Sequence, residues 1–322
     1  MRTENIDGQD AGNSTLLRVL TYHRVADPCS TPHLNPRLVS ALPDVFAQQM
    51  MHLASHYNVV SMETAYDSII NSNRLPKRAV LITFDDAYAD FIDIAWPVLK
   101  NLELPATVFV PTAYPDHNDL QFWWDRLYSA ISGSPCKSLS ISPLGDLPLD
   151  SPKSRLKSLK VLQDHFKSLS HTLAADFLDE ACKKLGERKC IQKTTLNWEQ
   201  LRTLNKEGVT LCPHTRTHPL LTRVTPDVAR EEIRGSCQDM ENALGELLPV
   251  FAYPNGDHNE HTASILKEEG IKVAFSCRDG LNNIHTVDPL RICRTNITRR
   301  TSPYLFRLRM YNWFTYIDRF RH

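Results

Sequence analysis

Two continuous apolar runs constrain this chain more than any other feature: residues 78–84 (RAVLITF) and 105–110 (PATVFV), with a helical pattern over about 88–102 between them. A short run without polar alternation is the pattern of a strand covered on both faces. Strand, helix and strand at this spacing make a βαβ unit, and hence a parallel sheet. The rhythm starts earlier, with a buried strand at 16–22 (LLRVLTY). Residues 24–43 hold four prolines and read as loop. Asp44 reads as the N-cap of a helix of about twelve residues, with Val45, Phe46, Met50, Leu53 and Ala54 on one face. A short strand at 58–62 and a helix at 61–71 follow. After residue 195 the alternation resumes. Asn197 caps a helix ending near 207, and strands are expected at 209–212, 249–253 and 271–277. Helices run from Thr225-Pro226 to about 245 and over 258–269. These units predict an α/β fold, a distorted and incomplete (β/α) barrel, whose chemistry sits on loops at the carboxyl ends of the strands.

The rhythm breaks over about 114–195. Pro135, Pro143, Pro148 and Pro152 punctuate a polar stretch, and residues 151–169 and 171–185 read as two surface helices. The segment is expected to be a helical insertion into a barrel of residues 16–300, with too few large apolar side chains for a core of its own. Residues 1–15 read as a flexible tail. Residues 301–322 read as an amphipathic C-terminal helix, mixing Tyr304, Phe306, Tyr311, Trp313, Phe314, Tyr316 and Phe320 with Arg307, Arg309, Arg319 and Arg321. Such a helix packs on the barrel or lies on a membrane surface or partner.

Composition removes several function classes. At 42% hydrophobic and 23% charged residues the chain is neither disordered nor coiled coil. Lys+Arg and Asp+Glu are 37 each, so the formal charge is zero, which argues against nucleic acid as the main partner. No apolar run approaches the roughly 20 residues that span a bilayer, and residues 1–13 hold no signal-like apolar region. The expectation is a cytoplasmic protein, with peripheral membrane contact through the tail as an option. The eight cysteines are scattered without a CxxC pair, which suits reduced thiols and speaks against a Cys-ligated metal.

Four short motifs fall at strand ends. Thr83-Phe84-Asp85-Asp86 places two carboxylates after an apolar strand. Adjacent buried carboxylates repel, unless a metal takes one and the other serves as a base; the bland alternative is a pair stabilised by a helix N-terminus. His214-Thr-Arg-Thr-His218, bracketed by Pro213 and Pro219, brings two imidazoles to one metal if the segment turns, or is a surface pair. Two His and a carboxylate leave coordination positions open for water and substrate. In Phe251-Ala-Tyr-Pro-Asn-Gly256-Asp257, Pro254 and Gly256 shape a turn that either presents backbone N–H groups to an oxyanion or only joins strand to helix. His23, in Tyr22-His23-Arg24, is a general acid or a packed histidine. Trp123-Trp124-Asp125 offers a sugar-stacking face or a pin for the insertion.

Together these stretches resemble the polysaccharide deacetylase family with the NodB homology domain (carbohydrate esterase family 4), nearest its poly-N-acetylglucosamine and exopolysaccharide branch. The matching residues are LTYHRV (20–25), AVLITFDDAYAD (79–90), PATVFVPT (105–112), HTRTHP (214–219) and FAYPNG (251–256), spanning about 16–297. The resemblance implies a distorted (β/α) barrel that removes N-acetyl groups from amino sugars with a divalent metal: zinc first, with cobalt, nickel or manganese as alternatives. By position, Asp86, His214 and His218 would hold the metal, and Asp85 would be the base acting on the water it activates. Asn255 would supply an oxyanion N–H, with Tyr253 beside it. The branch suggests His23 as the acid, with His258 as runner-up. Ala87 stands where the family often has Gly, so its methyl is expected to narrow the cleft slightly. Ala252 stands where many members have an Arg that orients the catalytic Asp, and Arg294 is the candidate to replace it. The expected function is therefore a metal-dependent N-deacetylase with a carbohydrate substrate. The alternatives are a catalytically weakened sugar-binding relative and a deacetylase of a small-molecule amide.

Overall fold

The computed structural model describes residues 15–117, 119–187 and 194–312. Its centre is a parallel ladder built from the apolar runs. Strand β1 (Leu16–Tyr22) is followed by the short β2 (Arg24–Val25) and β3 (Val39–Ala41), helix α1 (Pro43–His56), β4 (Asn58–Val59), α2 (Met62–Asn71) and β5 (Ala79–Phe84). Then come α3 (Trp96–Asn101), β6 (Thr107–Val110), and the insertion: α4 (Trp123–Gly133), β7 (Ser138–Ile141), β8 (Gly145–Pro148), α5 (Pro152–Ser168) and α6 (His171–Lys184). The barrel resumes with α7 (Trp198–Lys206), β9 (Thr210–Pro213), α8 (Pro226–Leu244), β10 (Val250–Ala252), α9 (Glu260–Glu268), β11 (Val273–Phe275), β12 (Asn282–Asn283), β13 (Thr295–Asn296) and α10 (Pro303–Arg309).

β5 pairs with β1 along its whole length on one side, and with β4 at its start and β6 at its end on the other. β6 pairs with β9, and all of these pairings are parallel. β10 and β11 form their own parallel pair, with no ladder joining them to β9 among the described residues. The ring is therefore open there, as the expected incomplete barrel requires.

Strand periodicity of two sorts the side chains. Val80, Ile82 and Phe84 face outward into a cluster with Phe46, Met50 and Leu53 of α1, Leu99 of α3, and Leu201 and Leu204 of α7. Leu17, Val19, Leu81, Phe109, Cys212, Val250, Ala252, Val273 and Phe275 face inward and fill the barrel. Truncating an inward side chain such as the fully buried Leu81 to Ala costs about 2–5 kcal/mol, the lost burial plus the cavity left behind. The same parity carries Asp85 and His214, each an even number of residues beyond an inward position, to the interior at the top of that stack.

Several expectations need correction. Residues 24–43 hold two strands, β2 and β3, which pair with each other; the prolines flank them. Asp44 is not the cap of α1: Pro43 opens the helix, whose missing N–H needs no partner, and Asp44 lies in the first turn. The helix expected over about 88–102 is present from Asp90 to Asn101 but starts as a π-helix: Tyr88 bridges to Thr195, Phe91–Ala95 are π-helical, and α3 continues from Trp96. The insertion does close a core. Leu127, Ile131, Leu139, Ile141, Leu159, Leu162, Phe177, Leu178 and Leu185 are buried together. The β7–β8 hairpin supplies Leu139 and Ile141 by alternation and adds Leu147, within the proline-punctuated stretch that reads as loop. At the C-terminus α10 ends at Arg309, and its Phe306 is buried on α1, edge-on to His52 at 6.3 Å. Trp313, Phe314, Tyr316, Arg319, Phe320 and Arg321, like Cys190 and the 1–14 stretch, lie outside the described residues. The seven described cysteines are free thiols.

Candidate active site and metal centre

Asp85 follows the last residue of β5, and its backbone N–H still donates to the Tyr22 carbonyl at 2.9 Å. Asp86 then turns with φ 70, and Ala87 with φ 49. Both φ values are left-handed, a conformation that costs a non-glycine residue about 1 kcal/mol and that gathers at functional sites. The turn is what lets two consecutive carboxylates reach one cavity. The Ala87 methyl does not narrow the cleft as expected. It packs outward in the cluster with Phe84 and Phe91, and the cost of replacing a glycine falls on the backbone.

The second loop is tied down from several sides. His214 N–H donates to the Val110 carbonyl at 3.0 Å, and the Thr112 N–H to the Thr215 carbonyl at 3.0 Å. The Thr215 hydroxyl donates to the His214 carbonyl at 2.5 Å and accepts from the His218 N–H at 3.0 Å, closing the turn. Glu232 of α8 accepts from the backbone N–H groups of Arg216 and Thr217. Thr215 and His218 also have positive φ, 64 and 59.

These two loops bring Asp86, His214 and His218 together, each buried, with ligand-capable atoms within 4.8 Å of one another. Asp86 Oδ1 lies 3.8 Å from His214 Nε2 and 3.3 Å from His218 Nε2. His214 Nδ1 is 2.7 Å from the Ala252 carbonyl. That bond needs the proton on Nδ1 and so leaves Nε2 a free lone pair pointing at Asp86. Asp86 Oδ1 is buried with no hydrogen-bond partner among the described residues. An orphaned carboxylate oxygen beside two imidazoles fits a divalent cation, and the donor set is one that zinc and similar ions accept.

Electrostatics separate the two carboxylates. Burial alone would raise both. In Asp85 the Arg294 guanidinium, helped by His214 and His23, outweighs burial and holds the carboxyl at about 2. In Asp86 burial is reinforced by the charges of Asp85 and Asp125, and the carboxyl is pushed well up. Burial also lowers His214, to about 4, and His218, so both imidazoles are neutral and available as ligands.

Arg294 contributes its guanidinium to Asp85 and donates through Nε to the Ser276 carbonyl at 2.9 Å. It is fully buried, as is Asp85. Tyr253 packs into the fold. It is fully buried, its hydroxyl donates to the Leu290 carbonyl and its N–H to the Phe275 carbonyl. It is the floor of the turn. Asn255, by contrast, is exposed at φ 56. His23 is half-buried, its N–H donating to Ser40 Oγ, and its ring feels the charge of Asp85. His258 is held at the turn: its Nδ1 lies 2.9 Å from the Gly256 carbonyl and its ring stacks on Tyr253.

The Trp123-Trp124-Asp125 motif resolves into a pin. Trp124 Nε1 donates to Tyr88 Oη at 2.8 Å, Tyr88 Oη donates to Asp125 at 2.6 Å, and Asp125 also accepts the Asn35 N–H. Trp124 meets the His218 ring edge-on at 4.8 Å. Nothing in the sequence spacing indicated this contact, because Tyr88, Trp124 and His218 belong to three different loops and helices.

A profile described as polysaccharide deacetylase matches residues 72–274, well over half of the chain. The chain belongs to the polysaccharide deacetylase family. The Bacillus subtilis (strain 168) protein YxkH, named after the same family, is 20% identical over 224 residues, covering 70% of this chain and 53% of YxkH. The chain thus spans about half the length of that relative. Two solved structures share the fold. Streptococcus pyogenes deacetylase PplD, in complex with acetate, has a TM-score of 0.62 at 22% identity, covering 92% of this chain and 98% of its own. IcaB from Ammonifex degensii has a TM-score of 0.60 at 18% identity, covering 92% and 98%. The family match includes Asp85, Asp86, His214, His218 and Asn255 and leaves out His23, just after β1, and Arg294, just before β13.

Proposed function

We propose that this protein is a metal-dependent hydrolase that removes the N-acetyl group from an N-acetylated amino sugar, in a polysaccharide, an oligosaccharide or a lipid-linked glycan. The observation that carries the reading is the buried Asp86–His214–His218 cluster lying beside a carboxylate, Asp85, that a buried arginine keeps ionised. Asp86, His214 and His218 would hold the ion, with zinc the first choice. A divalent ion there supplies Lewis-acid polarisation of the acetamide carbonyl and lowers the pKa of water.

The chain's own groups do the rest. Asp85 accepts the proton of the attacking water. A carboxyl held at about 2 is a weak base, which is why the reading needs a cation beside it. The Asn255 N–H, on the exposed left-handed turn, donates to the oxyanion. His23 gives its proton to the departing amine. Water adds to the acetyl carbon, the C–N bond breaks, and acetate and a free amine leave.

The missing arginine at position 252 favours the weakened-site alternative. The pairing of Arg294, just before β13, with Asp85 supports a working enzyme instead. Membrane contact through the tail remains a separate proposal. No helix among the described residues is long and apolar enough to cross a membrane. The test is acetate release from N-acetylglucosamine oligomers and small N-acetyl amides by zinc-loaded protein. Release from the oligomers that disappears in Asp85→Asn is expected. Release from the small amides alone would overturn the substrate assignment, and a tightly held ion without any release would favour the sugar-binding reading.

A further inference from the structure

The insertion touches the proposed oxyanion turn as well as the metal loop. Lys167, in the last turn of α5, donates through Nζ to Asn255 Oδ1 at 2.9 Å, the only partner of that carboxamide among the described residues. The helix end is held in place: Phe166 stacks on Trp123 with ring centroids 4.0 Å apart, and Trp123 meets Trp124, the residue against His218. Lys167 is half-buried, and burial lowers its ammonium against the pull of Asp257 and Asp164.

The other side of the turn is wedged. A Cβ added to Gly256 would lie 2.3 Å from the Cys277 backbone nitrogen, so the turn sits directly on that strand end. Cys277 Sγ is in turn 3.5 Å from Arg294 Nη2, the group that holds Asp85. Packed contacts therefore run from the proposed base to the turn, and Lys167 closes them from outside.

Resting on the reading of the Asn255 N–H as the oxyanion donor, we propose that Lys167 is a positioning residue: by clamping the Asn255 carboxamide it fixes the 254–256 turn, so that the insertion completes an active site the barrel begins. Exposed at a left-handed turn, the Asn255 side chain has no other hydrogen-bond partner among the described residues. Among the described residues the turn keeps two backbone bonds of its own, Gly256 N–H to Tyr253 and Asp257 N–H to Pro254.

The test compares full-length wild type with Lys167→Met, which keeps the stem and removes the donors, and Lys167→Arg, which keeps a donor. Hydrogen exchange in the peptide spanning 250–258 needs no substrate. It should be about threefold or more faster in Lys167→Met, at unchanged zinc content and melting temperature. On N-acetylglucosamine oligomers kcat should fall about tenfold, less than the loss of an oxyanion donor itself, with KM nearly constant and Lys167→Arg largely restoring the rate. Unchanged exchange in Lys167→Met would overturn the clamp, as would a loss confined to KM. If the exchange responds while wild-type protein releases no acetate, the clamp stands and the deacetylase reading fails.

Discussion

Arg294 grips both carboxylate oxygens of Asp85, through Nη1 at 2.7 Å and Nη2 at 2.8 Å, and the two side chains are 0% and 3% exposed. A bidentate pair fixes the carboxylate plane as well as its charge. Burial by itself would protonate Asp85; the guanidinium reverses the sign, and the carboxyl falls from 3.8 to about 2. Because the folded value is depressed, this contribution to stability is present above about pH 4 and is lost as the pH falls toward 2.

Arg294→Met leaves that carboxylate buried without a partner. Unfolding free energy at pH 7 should drop by about 3–5 kcal/mol. The gap between variant and wild type should shrink as the pH is lowered toward 3, because the unpaired Asp85 is protonated there at little cost. Denaturant melts at several pH values check this; equal stability at pH 7 would show that the pair does not form.

The two neighbouring aspartates should separate cleanly by substitution. Asp85→Asn should keep about one zinc per chain and lose roughly 10²–10⁴ in rate, the range for a general base. Asp86→Ala and His218→Ala should lose the ion itself. Metal content by elemental analysis, read beside acetate release, decides it. If Asp86→Ala binds zinc as well as wild type, the ligand set is wrong.

How much of this was legible depends on whether a residue acts through its neighbours in sequence. Asp85, Asp86, His214 and His218 stand in short motifs at strand ends, so spacing and strand parity suffice to bring them to one cavity. Arg294 was named as a candidate only because position 252 lacks an arginine. Its 209-residue separation from Asp85 leaves no periodic trace. Tyr253 was misplaced because the motif does not tell which of its side chains faces inward. The β7–β8 hairpin was hidden by prolines and short strands, and with it the core of the insertion. The Trp124–His218 and Lys167–Asn255 contacts lie between segments whose packing only the fold decides.

Trp124 offers a test of such a contact. Its ring lies edge-on to His218, whose Nδ1 has no hydrogen-bond partner to fix it. Trp124→Leu keeps an apolar side chain and frees that imidazole. Zinc affinity, measured by chelator competition, should weaken about tenfold or more, as when outer partners of a metal ligand are removed. An unchanged affinity would mean that the loop alone, through Thr215 and Glu232, holds His218 in place.

The identity of the proton donor is decided by pH profiles. Burial lowers His23 from its usual 6.5, and the Asp85 charge opposes that. A histidine acid works only while protonated, so kcat should fall as the pH rises through its titration. His23→Gln should lower the rate by about 10²–10⁴ and flatten that alkaline limb. His258→Gln should leave the limb in place, since its Nδ1 meets the Gly256 carbonyl and its ring stacks on Tyr253. If the limb vanishes in His258→Gln and survives in His23→Gln, the turn rather than β1 delivers the proton.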